Sequence, residues 1–175
     1  MKWFLRGLSS AAISQETGIH RLRILRALTK LRIVMSKDIP EVFSGITEVD
    51  ETYIGGKWKN KRKSQRKAES KRGRGTLKTP VFGILCRGGK IWVKVVPDVE
   101  AKTLMPLVFR RIKRGSTICS DTWKSYTRIA AKRYVHRLVE HKRGEYSDKG
   151  YNHINGLEGF WGYLKRRFAA KGGIR

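Results

Sequence analysis

A chain of 175 residues with 39% hydrophobic and 10% aromatic side chains can bury a core, which excludes a wholly disordered tail and allows one ordinary domain plus a small appendage. Its 40 Lys and Arg against 14 Asp and Glu give a formal charge of +26 and a pI of about 10.7, so the expected partner is a polyanion, nucleic acid first, with a ribosomal or membrane-surface role also compatible. Cys86 and Cys119 lie far apart without a CxxC pairing, which argues against a disulfide framework or a structural zinc site.

No apolar run approaches the roughly 20 residues of a spanning helix, and the start MKWFLRGLSSAA is too short in its apolar part for a signal peptide. The expected location is the cytoplasm, and no membrane partner is expected.

From Ser9 to Arg32 the pattern predicts two short helices broken at Thr17-Gly18, with Ser9 or Ser10 as a cap and Ile24, Leu28 and Leu31 as an apolar seam. With Gly18 at the turn, Ile13, Ile19, Ile24 and Ala27 fall where a helix-turn-helix buries its contacts, while Arg21, Arg23, Arg26 and Lys30 stay outside. The bland alternative is a plain helical hairpin; the basic outer face favours a DNA reader. Residues 1–34 are therefore read as a DNA-binding segment and 35–45, with Pro40 and Gly45, as a linker.

Ile46 to Ile54, ITEVDETYI, reads as a strand ending at Gly55-Gly56. Glu48, Asp50 and Glu51 crowd it in a chain short of acids, and like charges so placed repel unless solvent or a cation separates them. Asp50 is the acid expected to face a site, with Glu48 on the same side of the strand. The stretch 57–78 holds eleven Lys or Arg against the single acid Glu69 and has no apolar periodicity. It is read as a basic loop whose Lys57, Lys59, Lys61, Arg62 and Lys63 contact phosphate backbone; a solvated charge run is the alternative.

Pro80 to Cys86 and Lys90 to Val96 read as two strands of a hairpin turning at Arg87-Gly88-Gly89. Glu100 to Arg114 reads as a helix that must accommodate Pro106. Thr117 to Ser120 is a short buried strand with Asp121 at its C-terminal end, where open α/β sheets do their chemistry; capping a helix over 123–131 is the alternative role for Asp121. Tyr134 to Val139 is a last strand, followed by a polar loop over 142–150.

In the final helix, Leu157, Phe160, Trp161, Leu164 and Phe168 form one apolar stripe. Beside it Asn155, Glu158, Gly162 and Lys165 form a second stripe carrying an amide, a carboxylate, no side chain and an ammonium. A carboxylate on a rigid helix can reach a metal, a glycine one turn on admits a bulky group, and a lysine beyond can contact phosphate. An amphipathic surface helix with a chance Glu–Lys pair is the competing reading.

Three motifs in order, EVDETYIGG around Asp50, SDTWKSY around Asp121 and HINGLEGFWGYLKRR around Glu158, resemble the DDE-type insertion-sequence transposases with an RNase H-like core, in the ISXO-like branch whose third motif reads HxNxxExFWxxxKR. The resemblance covers about residues 46–170, and Lys165 follows Glu158 by seven positions, as in that family. It implies an α/β fold, an RNase H-like mixed sheet with flanking helices in residues 46–175, preceded by the small helical helix-turn-helix segment. It also implies Mg²⁺ (or Mn²⁺) held by Asp50, Asp121 and Glu158, with Lys165 and the basic loop neutralising phosphate charge and Asn155 orienting substrate or taking the third place itself.

The implied activity is cleavage of double-stranded DNA at transposon ends followed by strand transfer into target DNA, by a homo-oligomer associated with the bacterial nucleoid. Relatives often carry a cysteine-rich zinc ribbon that these cysteines cannot supply, and AAKGGIR ends just beyond the third motif, so the expectation is a catalytic domain shortened at its C-terminus. The alternative function is a DNA-binding protein without catalysis, a regulator or a transposase remnant.

Overall fold

A computed structural model describes residues 2–56, 78–121, 133–139 and 154–170. The basic loop over 57–78, Lys78 apart, the helix over 123–131 and the polar loop over 142–150 lie outside the described residues. The chain divides into two units, Met1–Pro40 and Glu41–Arg175.

In the first unit, α2 (Ser10–Thr17) and α3 (Arg21–Lys37) are the predicted pair of helices, and a short α1 (Lys2–Leu5) precedes them. The Ser9 hydroxyl accepts the Ala12 amide N–H at 3.1 Å and so caps α2. Gly18, at φ +68°, closes the same helix by donating its N–H to the Ser14 carbonyl, a left-handed turn that glycine adopts without a Cβ penalty. Ile13, Ile24 and Leu28 are buried together beneath Trp3, Phe4 and Leu8.

Two expectations fail here. Ile19 is 47% exposed and Ala27 is exposed, because the short α1 and α2 cover only the narrow line through Ile24 and Leu28 on the longer α3. The helix α3 also continues through Met35, Ser36 and Lys37, inside the span that the sequence predicts as linker, and ends at Asp38, two residues ahead of Pro40, which disfavours helix at the residue before it.

The second unit is built on a five-stranded mixed sheet in the order β3-β2-β1-β4-β5. β1 (Ile46–Ile54), β2 (Thr79–Cys86) and β3 (Ile91–Val95) are antiparallel neighbours, whereas β4 (Thr117–Asp121) and β5 (Val135–Val139) run parallel to β1. With α4 (Ala101–Arg111) and α5 (Asn155–Ala170), this mixed sheet flanked by helices is consistent with the RNase H-like fold expected from the motifs. Pro106 sits inside α4 without ending it; the carbonyl it leaves without a helical partner is that of Lys102, at the exposed first turn where water can replace the bond.

The period of two along the strands divides the sheet into two faces. One carries Val49, Phe82, Ile84 and Ile118, all fully buried, and the Arg111 guanidinium at the end of α4 lies 4.8 Å from the ring centre of Trp92 on this face. The other carries Glu48, Asp50, Ile54, Val81, Gly83, Leu85 and Cys119, and receives α5. Leu157 and Trp161 pack there against Ile54, Val81 and Leu85, with Phe160, Leu164 and Phe168 alongside, so the predicted apolar stripe is the buried one.

Ile154 packs on Cys119 near Ile46, while Trp161 lies over Gly83, the register partner of Asp50. The helix therefore begins over the β1–β4 seam and runs in the direction of β1. A Cβ on Gly156 would lie 2.5 Å from Leu85 Cδ2 and 3.0 Å from Glu48 Oε2.

Alanine in place of glycine within a helix ordinarily stabilises by about 1 kcal/mol. Gly156→Ala should do the reverse and cost about 1–3 kcal/mol by overpacking, read as a lower thermal midpoint. A higher midpoint would contradict the close approach of α5 to β1.

Candidate metal and nucleic-acid site

Glu48 is a carboxylate with 1% exposure in the middle of β1. A charge so buried needs partners, and two are present. Its Oε2 accepts the Leu157 backbone N–H at 2.9 Å and its Oε1 accepts Arg87 Nε at 3.3 Å. Ile154, whose carbonyl accepts the Glu158 N–H at the start of α5, has no side-chain acceptor to offer the helix end, so the strand supplies the cap instead. A carboxylate at a helix N-terminus also meets the positive end of the helix dipole. Arg87 reaches Cys119 Sγ as well, at 3.9 Å.

Two residues along β1, Asp50 accepts Trp161 Nε1–H on its Oδ2 at 3.1 Å. Gly83 makes this contact possible. A Cβ at that position would lie 2.6 Å from Trp161 Cζ2, so the indole occupies the volume a side chain would fill. The two contacts are in step: two strand residues advance about 6.6 Å, four helical residues about 6 Å.

Across the β1–β4 seam the pairing runs Ile46↔Thr117, Thr47↔Ile118, Glu48↔Cys119. Carried two residues further, it sets Asp50 level with Asp121, the last residue of β4. Burial, with repulsion from Glu51 and Asp121, pushes the Asp50 carboxyl from 3.8 up to about 7, against the pull of the Glu51 amide and the Trp161 indole. Behind Asp121, the buried Ser120 hydroxyl donates to the Asp121 carbonyl at 2.9 Å and lies 2.8 Å from His136 Nε2. Which of the two donates depends on the imidazole tautomer, and burial holds the His136 imidazole below the usual 6.5.

Glu158 lies in the first turn of α5, exposed, as are Asn155 at the helix start and Lys165 two turns on. Ile154 touches β4 through Cys119, and Glu158 and Lys165 lie within about 40° of Ile154 around the helix at 100° per residue. Glu158 and Lys165 therefore share one exposed flank of α5, beside the stripe that it buries. Among the described residues no three His, Cys, Asp or Glu side chains form a group able to hold a metal ion. Asp50 and Asp121 are neighbours, and Glu158 does not complete such a group with them. Arg21, Arg23 and Arg26 are exposed on α3, whereas Lys57, Lys59, Lys61, Arg62 and Lys63 fall outside the described residues. A cleft of about 310 Å³ lined by Ser44, Gly45, Lys113, Arg114 and Thr117 lies at the opposite ends of β1 and β4 and contains none of these acids.

The model of the ISXO2-like transposase domain matches residues 42–171, most of the chain. The chain belongs to this transposase family. It is also 31% identical over 85 residues to an "uncharacterized transposase-like protein" of Haemophilus influenzae, a match covering 49% of this chain and 68% of that one. Membership of a transposase family implies action on nucleic acid and binding to DNA. Among the described residues, no helix of the transposase domain or of the segment before it is long and apolar enough to cross a membrane.

Sequence reasoning singled out Asp50, Asp121 and the stripe on α5, but it took Arg87 for a turn residue and Trp161 for core alone, and gave Gly83 no role. A lone glycine inside the strand PVFGILC is the available signal, since it marks a close approach of another group.

The raised Asp50 carboxyl has a thermodynamic consequence. The folded state binds its proton between the ordinary 3.8 and about 7, so the associated stability is present below 3.8 and is lost as pH rises through 7. Asp50→Asn should flatten the decline between pH 4 and 8, gaining on the order of a few kcal/mol at pH 8, measured by urea unfolding. An unchanged pH profile would contradict the burial of this carboxyl.

Proposed function

We propose that this transposase cuts and joins DNA strands at the ends of an insertion sequence, using Mg²⁺ or Mn²⁺ held at Asp50 and Asp121. The observation that carries this reading is the pair itself: Asp50 within β1 and Asp121 at the end of the adjacent parallel strand β4 come level when the β1–β4 register is carried two residues on, and Asp50 is pushed up to about 7 by burial and by repulsion from Glu51 and Asp121. Such a pair is unfavourable alone and is relieved by a hard cation, and all-oxygen donors suit Mg²⁺. Asp50 and Asp121 would hold the ion, with Glu158 or Asn155 on the adjoining flank of α5 as third ligand. When bound, the ion supplies Lewis-acid stabilisation of the phosphoryl oxygens and eases deprotonation of the attacking oxygen.

In the first step water attacks phosphorus and the bond to the 3′ oxygen breaks. In the second, the freed 3′ hydroxyl attacks a target phosphodiester and expels its 3′ oxygen. The chain's own part is to bind and orient. Lys165, on the flank shared with Glu158, neutralises phosphate charge, and the exposed arginines of α3 hold the duplex. Without such cations beside them, these acids would face a polyanion that repels them.

A second reading, DNA binding without catalysis, is favoured by one observation: among the described residues Glu158 does not join Asp50 and Asp121 in a three-acid group. The two readings separate on alanine variants. Asp50→Ala and Asp121→Ala should each lower Mg²⁺-dependent strand cleavage at least about 10³-fold, the scale of losing a group that acts only in the transition state, with DNA affinity unchanged within about threefold. Comparing Glu158→Ala with Asn155→Ala assigns the third place. Cleavage that survives both aspartate changes would leave the binding-only reading, or a different catalytic centre.

Arg23→Gln with Arg26→Gln should reduce the slope of log affinity against log salt by about 2, since each lost phosphate contact lowers it by about 1. An unchanged slope would remove α3 from the interface.

A further inference from the structure

The contact between Trp161 and Asp50 is built from three positions that are distant in sequence. Asp50 and Gly83 are directly opposed across the β1–β2 ladder. Gly83 has no side chain, and the space its Cβ would need is taken by the indole, whose Cζ2 and Cη2 lie 2.6 and 2.8 Å from where that atom would be. The indole edge is thereby turned so that Nε1–H donates to Asp50 Oδ2 at 3.1 Å. Trp161 itself is 4% exposed, held by Leu157, Ile54, Val81 and Leu85, with Phe160 tilted against it at 5.2 Å between ring centres. It cannot easily follow a carboxylate that swings away.

Phenylalanine would keep an aromatic ring over the sheet, but it lacks the Cζ2 and Cη2 atoms that fill the Gly83 slot and the N–H that the indole points at a carboxylate.

We propose that Trp161 is a positioning residue for the metal centre: its N–H holds one oxygen of Asp50 and so fixes the orientation in which the carboxylate meets the cation, with Gly83 as the slot that admits the ring. The inference rests on the proposed role of Asp50 as a metal ligand. Outer partners of this kind commonly contribute tenfold or more to metal affinity, by removing rotamers the ligand would otherwise have to give up on binding.

The test uses the full chain and Mn²⁺ as probe, read by paramagnetic resonance without DNA, so no turnover is needed. Asp50→Ala defines the fraction of binding that belongs to this site. Trp161→Phe, which keeps an aromatic ring and removes the donor, should weaken that fraction about tenfold. Gly83→Ala, which displaces the ring, should weaken it comparably, and the double change should be no worse than the more damaging single one.

A readout on the unsubstituted protein protects the test if either variant fails to fold. Mg²⁺ titrated onto ¹⁵N-tryptophan-labelled protein should move the Trp161 indole resonance saturably, with the same midpoint as binding. Asp50-dependent Mn²⁺ binding that Trp161→Phe leaves within twofold, or Mg²⁺ saturation without movement of that resonance, overturns the positioning role alone. Absence of any Asp50-dependent binding overturns the metal reading, and this inference with it.

Discussion

The buried carboxylate of Glu48 is the constraint from which the geometry of the second unit follows. An isolated ion at that depth would cost several kcal/mol, and the strand carrying it cannot supply compensation from its own backbone, which is engaged in the ladders to β2 and β4. Compensation comes from two other elements, the Arg87 guanidinium at the β2–β3 turn and the Leu157 N–H at the start of α5. One side chain therefore joins a hairpin, a central strand and a helix that lies 109 positions away in sequence. Removal of Glu48 would take an acceptor from both Arg87 and the Leu157 N–H, so the node ties the register of the helix on the sheet through directional contacts as well as through apolar packing.

Once that register is set, the rest is carried by repeat lengths. Leu157 opposite Glu48 brings Trp161 opposite Asp50, because one turn of helix and two residues of strand advance by nearly the same distance. Gly83 completes the fit. The acids of β1 are then handled in different ways: Glu48 is ion-paired and caps a helix, whereas Asp50 is half-buried, hydrogen-bonded and crowded by Glu51 and Asp121. In a chain with so few acids, the second arrangement is costly for folding and favourable for a cation. Tension between stability and function of this kind is expected at working sites.

Much of this was legible in the sequence. The strand ITEVDETYI has the bounds its composition suggests, the Arg87-Gly88-Gly89 hairpin is present, Asp121 does end a buried strand, and the stripe from Leu157 to Phe168 is the face α5 buries. Local signals sufficed there because alternation and helical periodicity are properties of single elements. What remained hidden depends on two elements at once. Nothing local to Arg87 says that it turns back onto Glu48, and nothing local to Trp161 distinguishes a core tryptophan from one aimed at a carboxylate. The exposure of Ile19 and Ala27 was missed for a related reason: burial depends on how much of a small helical unit is covered, which a helical wheel does not contain.

The central claim is that Asp50 and Asp121 share a divalent cation in a seat that α5 holds in place. Anomalous diffraction from a crystal of the full chain equilibrated with Mn²⁺ tests it most directly. The account predicts a manganese peak bonded to both carboxylates, with the Trp161 indole still donating to Asp50. A peak elsewhere with this pair left unbridged, or a structure in which the two aspartates point apart, would contradict it.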